Sequence, residues 1–170
     1  MKNYLLVVLS FIMFSSNAFA TKVSIMGGID YNLDNTSAGV AGAAASVKGG
    51  LGFGGGLLVG FSSVELGALY LSKSYTTSVT LLGVTADTST TVSAIEIPLM
   101  FRFGGNTSFG IGGFYDLVLT SGSSAQYGLT AGPRFGMGPA FIDLRFDYGL
   151  QTGNSKDILA MIGYSFGGGH

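Results

Sequence analysis

The side chains of this sequence that could carry chemistry are mainly carboxylates and guanidinium groups. The 170 residues include nine Asp and Glu, eight Lys and Arg, no Cys and one His. A nucleophilic enzyme site needs a base such as His held beside Ser or Cys. Here the single imidazole is His170, at the end of a run of glycines. We therefore predict that the chain is not an enzyme.

Carboxylates alone can bind a metal ion, and Asp116, Asp143 and Asp147 are the candidates for such a site. Arg145 lies between the last two in the sequence. Because a guanidinium pairs with carboxylates in a fixed, bidentate geometry, this spacing favours ion pairing over metal binding. The sequence predicts neither a metal ion nor another cofactor.

The overall composition is unlike that of a soluble domain. Only 10% of the residues are charged, 47% are hydrophobic and 29 are Gly, with a mean hydropathy of +0.50. Soluble domains have about 25% charged residues and about 7% Gly. The formal net charge is −1, without a basic stripe, which argues against binding to nucleic acid.

The first twenty residues have the pattern of a secretory signal peptide. Lys2 precedes an apolar run from Leu5 to Phe14, and the small residues Ala18 and Ala20 flank Phe19 as signal peptidase requires. A retained membrane helix would need about twenty apolar residues, twice the length of this run. We predict cleavage after Ala20, export through the inner membrane of a Gram-negative cell, and a single mature domain over residues 21–170.

The rest of the chain alternates between apolar and small or polar residues, which is typical of β-strands with two different faces. In residues 94–103, for example, Ile, Leu and Phe alternate with Ala, Glu, Pro, Met and Arg. Short connections at 62–63, 104–106 and 136–139 alternate with long ones at 34–48, 72–91, 120–126 and 151–156. This plan predicts an all-β fold, an eight-stranded antiparallel up-and-down transmembrane β-barrel. The predicted strands are 23–33, 51–61, 64–71, 95–103, 109–119, 127–135, 142–150 and 158–166.

The charged residues of these strands share the face that carries Gly and Ser, while the opposite face is uncharged. In a membrane barrel the apolar face points outward to lipid and the polar face points inward. The interior is narrow, so charged side chains there would form ion pairs with one another. The alternative is a soluble, lipocalin-like barrel with the apolar face inside, binding an apolar ligand. The predicted lumen charge network consists of Asp30, Glu65, Glu96, Arg102, Asp116, Arg134, Asp143, Arg145 and Asp147.

Three segments resemble the small outer-membrane β-barrel families related to OmpX and the OmpA barrel. They are IEIPLMFRF at 95–103, IDLRFDYGL at 142–150 and LAMIGYSF at 159–166. The resemblance implies an outer-membrane monomer surrounded by lipid and lipopolysaccharide, inserted by periplasmic chaperones and the barrel-assembly machinery. Tyr164 and Phe166 match the aromatic signal that this machinery reads, although Gly167 to His170 follow it.

Two kinds of function agree with these features. Residues 72–91 are rich in Thr and Val, which favours continued strand, so the third and fourth predicted strands would project as a hairpin with an exposed edge. In OmpX-like proteins such an edge implies adhesion or the binding of an extracellular protein, and the barrel would otherwise be a filled structural protein of the envelope. The alternative is a narrow OmpW-like channel for small or hydrophobic solutes, with Gly52, Gly54 and Gly56 widening the lumen instead of accommodating side chains.

Overall fold

The computed structural model describes residues 21–120, 124–151 and 155–167, and in these residues it contains ten β-strands. The predicted signal peptide, with Ala18 and Ala20, lies outside the described residues. Within the part of the chain that the structure describes, no helix has both the length and the apolar character needed to cross a membrane. The strands are β1 (Thr21–Asn32), β2 (Asn35–Val40), β3 (Ala43–Gly49), β4 (Leu51–Phe61), β5 (Val64–Leu81), β6 (Val84–Gly104), β7 (Thr107–Val118), β8 (Gln126–Met137), β9 (Ala140–Gly149) and β10 (Lys156–Phe166).

Eight of the strands close into a ring in which every pairing is antiparallel. Going round the ring, the order is β1, β4, β5, β6, β7, β8, β9 and β10, and β10 pairs with β1. Ile25 of β1, for example, lies opposite Leu57 on one side and Tyr164 on the other. Closure leaves no free edge along the ring, which is what a spanning sheet requires in lipid. The predicted eight-stranded up-and-down barrel is confirmed.

The remaining two strands correct the prediction that residues 34–48 form a loop. β2 and β3 form a hairpin there, and β3 pairs with residues 75–81 of β5. β5 and β6 continue beyond the barrel to a two-residue turn at Leu82 and Gly83, so the hairpin predicted over residues 72–91 is present. Both turn residues have positive φ, as a type I′ turn requires. Each strand in this region forms backbone hydrogen bonds with its neighbour. Small residues such as Ala and Ser allow this pairing, because it depends on the backbone and not on the side chains.

The outer surface of the ring carries an exposed belt of large apolar side chains. Ile25, Leu57 and Phe101 are each about half exposed, and Ile162 is 66% exposed. The nine charged residues of the predicted lumen network face inward instead, so the soluble inside-out alternative is wrong. We call the end with the connections at 62–63, 105–106 and 138–139 the turn end, and the opposite end the loop end.

One side of the barrel interior is packed with apolar side chains. The buried cluster consists of Met26, Leu58, Leu69, Leu71, Phe141, Leu159 and Met161. Gly54 lies against this cluster, and a Cβ atom there would come 2.5 Å from Leu71 Cδ2 and 3.3 Å from Met161 Cε. Gly54 therefore leaves room for apolar side chains, whereas an added Cβ at Gly52 or Gly56 would come 2.1 Å from a backbone oxygen of the neighbouring strand. Gly110 of β7 leaves room for Met100 and Arg102, whose Cε and Nη1 atoms would be 2.7 Å and 3.1 Å from an added Cβ.

Candidate functional site

The interior near the turn end holds a balanced cluster of two arginines and two carboxylates. Asp143 Oδ2 lies 2.6 Å from Nη2 of Arg102 and 2.6 Å from Nη2 of Arg134. Glu65 accepts hydrogen bonds from both guanidinium groups as well. The Phe141 ring packs on Arg134, with its centroid 4.2 Å from Cζ. Each carboxylate thus bridges both arginines, and the cluster ties β5, β6, β8 and β9 together.

A cavity of about 350 Å³ opens at the turn end and stops at this cluster. Its wall includes Lys22, Asn106 and the side chains of Glu65, Arg102 and Arg134. The cluster therefore forms the floor of a vestibule that has room for several water molecules.

A second group of charges lies nearer the loop end and is acidic overall. Lys73 Nζ lies 2.8 Å from Asp157 Oδ2 and 3.1 Å from Asp116 Oδ2. Asn32 Nδ2 donates to Asp157 Oδ1 at 2.7 Å. Deeper in the barrel, Arg145 Nη2 lies 3.0 Å from Glu96 Oε1. All of these side chains are buried.

Asp30 and Asp147 complete the loop-end group without an ion pair among the described residues. Both are buried, and neither carboxylate has a hydrogen-bond partner in that part of the chain. Two like-charge pairs also stand directly opposite each other on neighbouring strands, Glu96 with Asp116 and Asp147 with Asp157. Five carboxylates therefore share two cations, Lys73 and Arg145, in this half of the lumen.

The structure places all nine residues of the predicted lumen network inside the barrel and brings seven of them into ion pairs. The exceptions are Asp30 and Asp147. Sequence reasoning missed Lys73 and Asp157, because the predicted strands ended at Leu71 and began at Ile158. The signal was present, since Lys73 continues the alternation of Leu69 and Leu71, and Asp157 precedes Leu159 and Met161 in the same alternation. Among the described residues, no group of three or more His, Cys, Asp or Glu is arranged to hold a metal ion.

Beyond the exposed belt, the loop end carries a four-stranded sheet that rises from one side of the ring. We call it the projecting sheet, and it consists of β2, β3, residues 75–81 of β5 and residues 84–90 of β6. β2 pairs only with β3 among the described strands, and residues 84–92 of β6 pair only with β5, because the β6–β7 ladder begins at Ala94. The projecting sheet thus has two unpaired edges, and every residue of both edge segments is exposed up to Thr91.

Hydrogen bonds at the base of the projecting sheet anchor it to the barrel wall. Asn32 Nδ2 donates to the Tyr75 hydroxyl at 3.2 Å, and the Asp34 amide donates to Asn32 Oδ1 at 2.9 Å. Asp34 in turn accepts from the Lys156 amide at 3.0 Å. Burial raises the pKa of Asp34, and the hydrogen bonds that its carboxylate accepts from the Lys156 amide and from Asn32 Nδ2 oppose the rise. Burial also raises the pKa of Tyr75, opposed by the charge of Lys73, so its hydroxyl stays protonated and able to donate.

The predicted assembly residues lie at the end of β10, on the outer surface. Tyr164 and Phe166 are 45% and 51% exposed, and their ring centroids are 4.9 Å apart. They stand next to β1, where the ring closes, with Phe166 opposite Val23.

Known structures with a similar fold are outer-membrane proteins. OprG from Pseudomonas aeruginosa is similar with a TM-score of 0.53 and 16% identity, over 87% of this chain and 97% of that one. Ail, the attachment invasion locus protein of Yersinia pestis, in complex with the heparin analogue sucrose octasulfate, is similar with a TM-score of 0.50 and 13% identity, over 86% and 99% of the two chains. No family model and no curated protein matches the sequence. The chain has the fold of the small outer-membrane β-barrel proteins.

Proposed function

We propose that this protein is an integral outer-membrane barrel with a filled lumen that presents its projecting sheet to an extracellular protein. Residues 1–20 are proposed to be a cleaved signal peptide and residues 21–170 the barrel domain. The exposed apolar belt supports insertion among lipid and lipopolysaccharide, since such a surface would be unfavourable in water. Outer-membrane barrels keep their short turns in the periplasm, so the projecting sheet points outward from the cell.

The contents of the lumen favour a structural role for the barrel over conduction. Buried side chains from all eight ring strands occupy the interior, and the Arg102 and Arg134 cluster lies across it above the turn-end vestibule. An eight-stranded barrel has an interior just wide enough for side chains. The narrow OmpW-like channel is therefore the less favoured alternative.

The two unpaired edges of the projecting sheet are the observation that supports protein binding. An edge offers a row of backbone donors and acceptors to an incoming strand, which is the basis of β-strand addition. Charge contributes little, because the projecting sheet carries only Lys48 and Asp87. Recognition through backbone edges is accordingly favoured over recognition of a sulfated saccharide such as the one bound in the Ail structure.

Assembly is proposed to follow the usual route for such barrels, through periplasmic chaperones and the barrel-assembly machinery. The exposed aromatic pair Tyr164 and Phe166 on the closing strand supports this role. The protein is expected to act as a monomer and without catalysis.

A deletion of residues 76–88 tests the proposal, because it removes the tip of the β5–β6 hairpin and leaves the ring pairings intact. The full mature chain and the deletion variant are reconstituted in nanodiscs and applied to a panel of immobilised extracellular-matrix proteins. We expect binding by the full chain and loss of at least 90% of it in the variant, with a heat-dependent gel shift showing that both barrels are folded. Equal binding by both proteins, or steady single-channel conductance of the full chain in a planar bilayer, would contradict the proposal.

A further inference from the structure

The two faces of the projecting sheet differ in chemistry. Cross-strand partners point their side chains to the same face, so the pairing registers sort the residues into rows. Near the tip, the face that continues the inner wall of the barrel is formed entirely by Ala, Val and Leu, whereas the opposite face carries mainly Ser and Thr. The first inner row is Val40, Ala43, Leu81 and Val84, and the second is Ala38, Ala45, Val79 and Ala86. The first outer row is Gly39, Ala44, Thr80 and Thr85, and the second is Ser37, Ser46, Ser78 and Asp87.

The apolar inner face is open to solvent. Val40, Leu81 and Val84 are 79%, 59% and 74% exposed, and Val79 is 48% exposed. Both charges of the sheet, on Lys48 and Asp87, lie on the outer face. In antiparallel sheets an apolar face of this kind normally packs against another element while the polar face meets water. The inner face therefore has the composition of a surface that becomes covered.

The unpaired edge of β6 decides where a strand would extend that face. A strand added along residues 84–92 would place alternate side chains on the inner and outer faces. Those on the inner face would lie beside Val84 and Ala86, and those on the outer face beside Thr85 and Asp87. Apolar residues are favoured beside Val84 and Ala86, and again beside Val92, while Thr88 and Thr90 between them on the inner face accept Val or Thr. Polar residues are favoured beside Thr85 and Asp87.

We propose that the partner segment is an amphipathic extended strand, in which apolar and polar residues alternate, that pairs with residues 84–92 of β6. This inference rests on the proposed function, since it names the chemistry of the strand that the projecting sheet binds. Backbone hydrogen bonds to the edge provide affinity, and the inner face selects alternating apolar side chains.

A second copy of the chain does not meet this requirement. Two barrels in one membrane are related by a two-fold axis along the membrane normal, roughly parallel to the strands. If two copies paired edge to edge, such an axis would put the apolar face of one projecting sheet beside the polar face of the other. Two apolar rows across four strands, at about 4.8 Å between strands and about 7 Å between rows on one face, span roughly 300 Å². This is less than the roughly 800 Å² that each partner contributes to a stable interface. A strand that gains most of its affinity from the edge needs no larger area.

Peptide binding to the reconstituted mature chain tests the inference. Three nine-residue peptides serve as probes: one with Val and Thr in alternation, one with the same composition arranged as a Val block and a Thr block, and one with Thr only. Lys at both ends keeps each peptide soluble. Because two or three additional Val side chains lie on the inner face, where each apolar cross-strand pair contributes about 0.2–1 kcal/mol, we expect the alternating peptide to bind roughly tenfold more tightly than the others. Equal affinities for the three peptides would overturn the inference.

Two neighbouring substitutions on β6 provide a matched pair of variants. Ala86→Lys places a charge on the inner face, and Thr85→Lys places the same charge on the outer face of the same edge. We expect Ala86→Lys to remove the preference for the alternating peptide and Thr85→Lys to keep it. An equal effect of both variants on peptide binding would overturn the inference. A change in the monomer-to-dimer ratio caused by Ala86→Lys would also overturn it, because the inner face would then bind a second copy of the chain.

The failure of this inference is distinguishable from failure of the proposed function. If matrix binding is lost on deletion of residues 76–88 but the three peptides bind equally, the edge binds proteins and the alternation plays no part. If deletion leaves matrix binding unchanged, the proposed function itself is wrong.

Discussion

Replacing Arg134 with Met should cost the barrel a large part of its stability. The side chain is buried and contacts both carboxylates of the turn-end cluster, with Nη2 2.6 Å from Asp143 Oδ2. Removing it leaves Glu65 and Asp143 to share the single guanidinium of Arg102. Breaking a buried ion pair from one side typically costs about 3–5 kcal/mol, because a buried charge loses its partner.

Unfolding by urea in detergent micelles measures this loss, with the heat-dependent gel shift reporting the folded fraction. A slope of about 1–3 kcal/mol/M converts the expected loss to a fall of roughly 2 M in the urea midpoint. The double variant Arg134→Met/Asp143→Asn removes one charge of each sign, so we expect it to recover at least half of the loss. A matched control is Lys48→Met, which removes an exposed cation of the projecting sheet. If Arg134→Met is no more damaging than Lys48→Met, the buried cluster does not stabilise the barrel.

Two further predictions test the interior. Asp30→Asn should leave the urea midpoint unchanged or raise it, because it removes one of the five carboxylates that share Lys73 and Arg145. If the midpoint instead fell as far as in Arg134→Met, Asp30 would be paired with a cation. Gly54→Val should lower the free energy of unfolding by about 1–3 kcal/mol through overpacking against Leu71 and Met161, whereas Gly105→Val at the turn end, where an added Cβ meets no atom within 4 Å, should change it little.

The closed ring could be predicted from the sequence because alternation is a local property. In residues 95–103 the inward and outward faces differ at every step, and a one-residue error in register would bury the whole apolar set. The same property placed Glu96 and Arg102 inside the barrel. Their partners could not be predicted, since Arg102 meets Asp143 across the barrel and Arg145 meets Glu96. Those distances depend on the tilt and stagger of the strands, which no single segment determines.

The ends of the strands were predicted less well than their centres. Lys73 and Asp157 were missed because a strand was ended where its bulky apolar residues stopped. β2 and β3 were missed for a related reason, since Ala, Gly and Ser dominate residues 35–49 and have low strand propensity or little side chain to pack. These strands form because β5 supplies a partner edge, which is tertiary context and not a property of the segment.

The persistence of alternation beyond the barrel is the strongest argument that the projecting sheet binds something. Along β5, residues 65–73 alternate because one face meets lipid and the other meets the lumen. Neither environment reaches Val79 and Leu81, yet the alternation continues there and recurs in the matching rows of β2, β3 and β6. If the projecting sheet were only a hydrophilic surface, exposing Ala, Val and Leu on one face of all four strands would have no function, because apolar groups are unfavourable in water. A face that an added strand extends, with apolar side chains beside apolar ones, accounts for both the alternation and the free edge beside it.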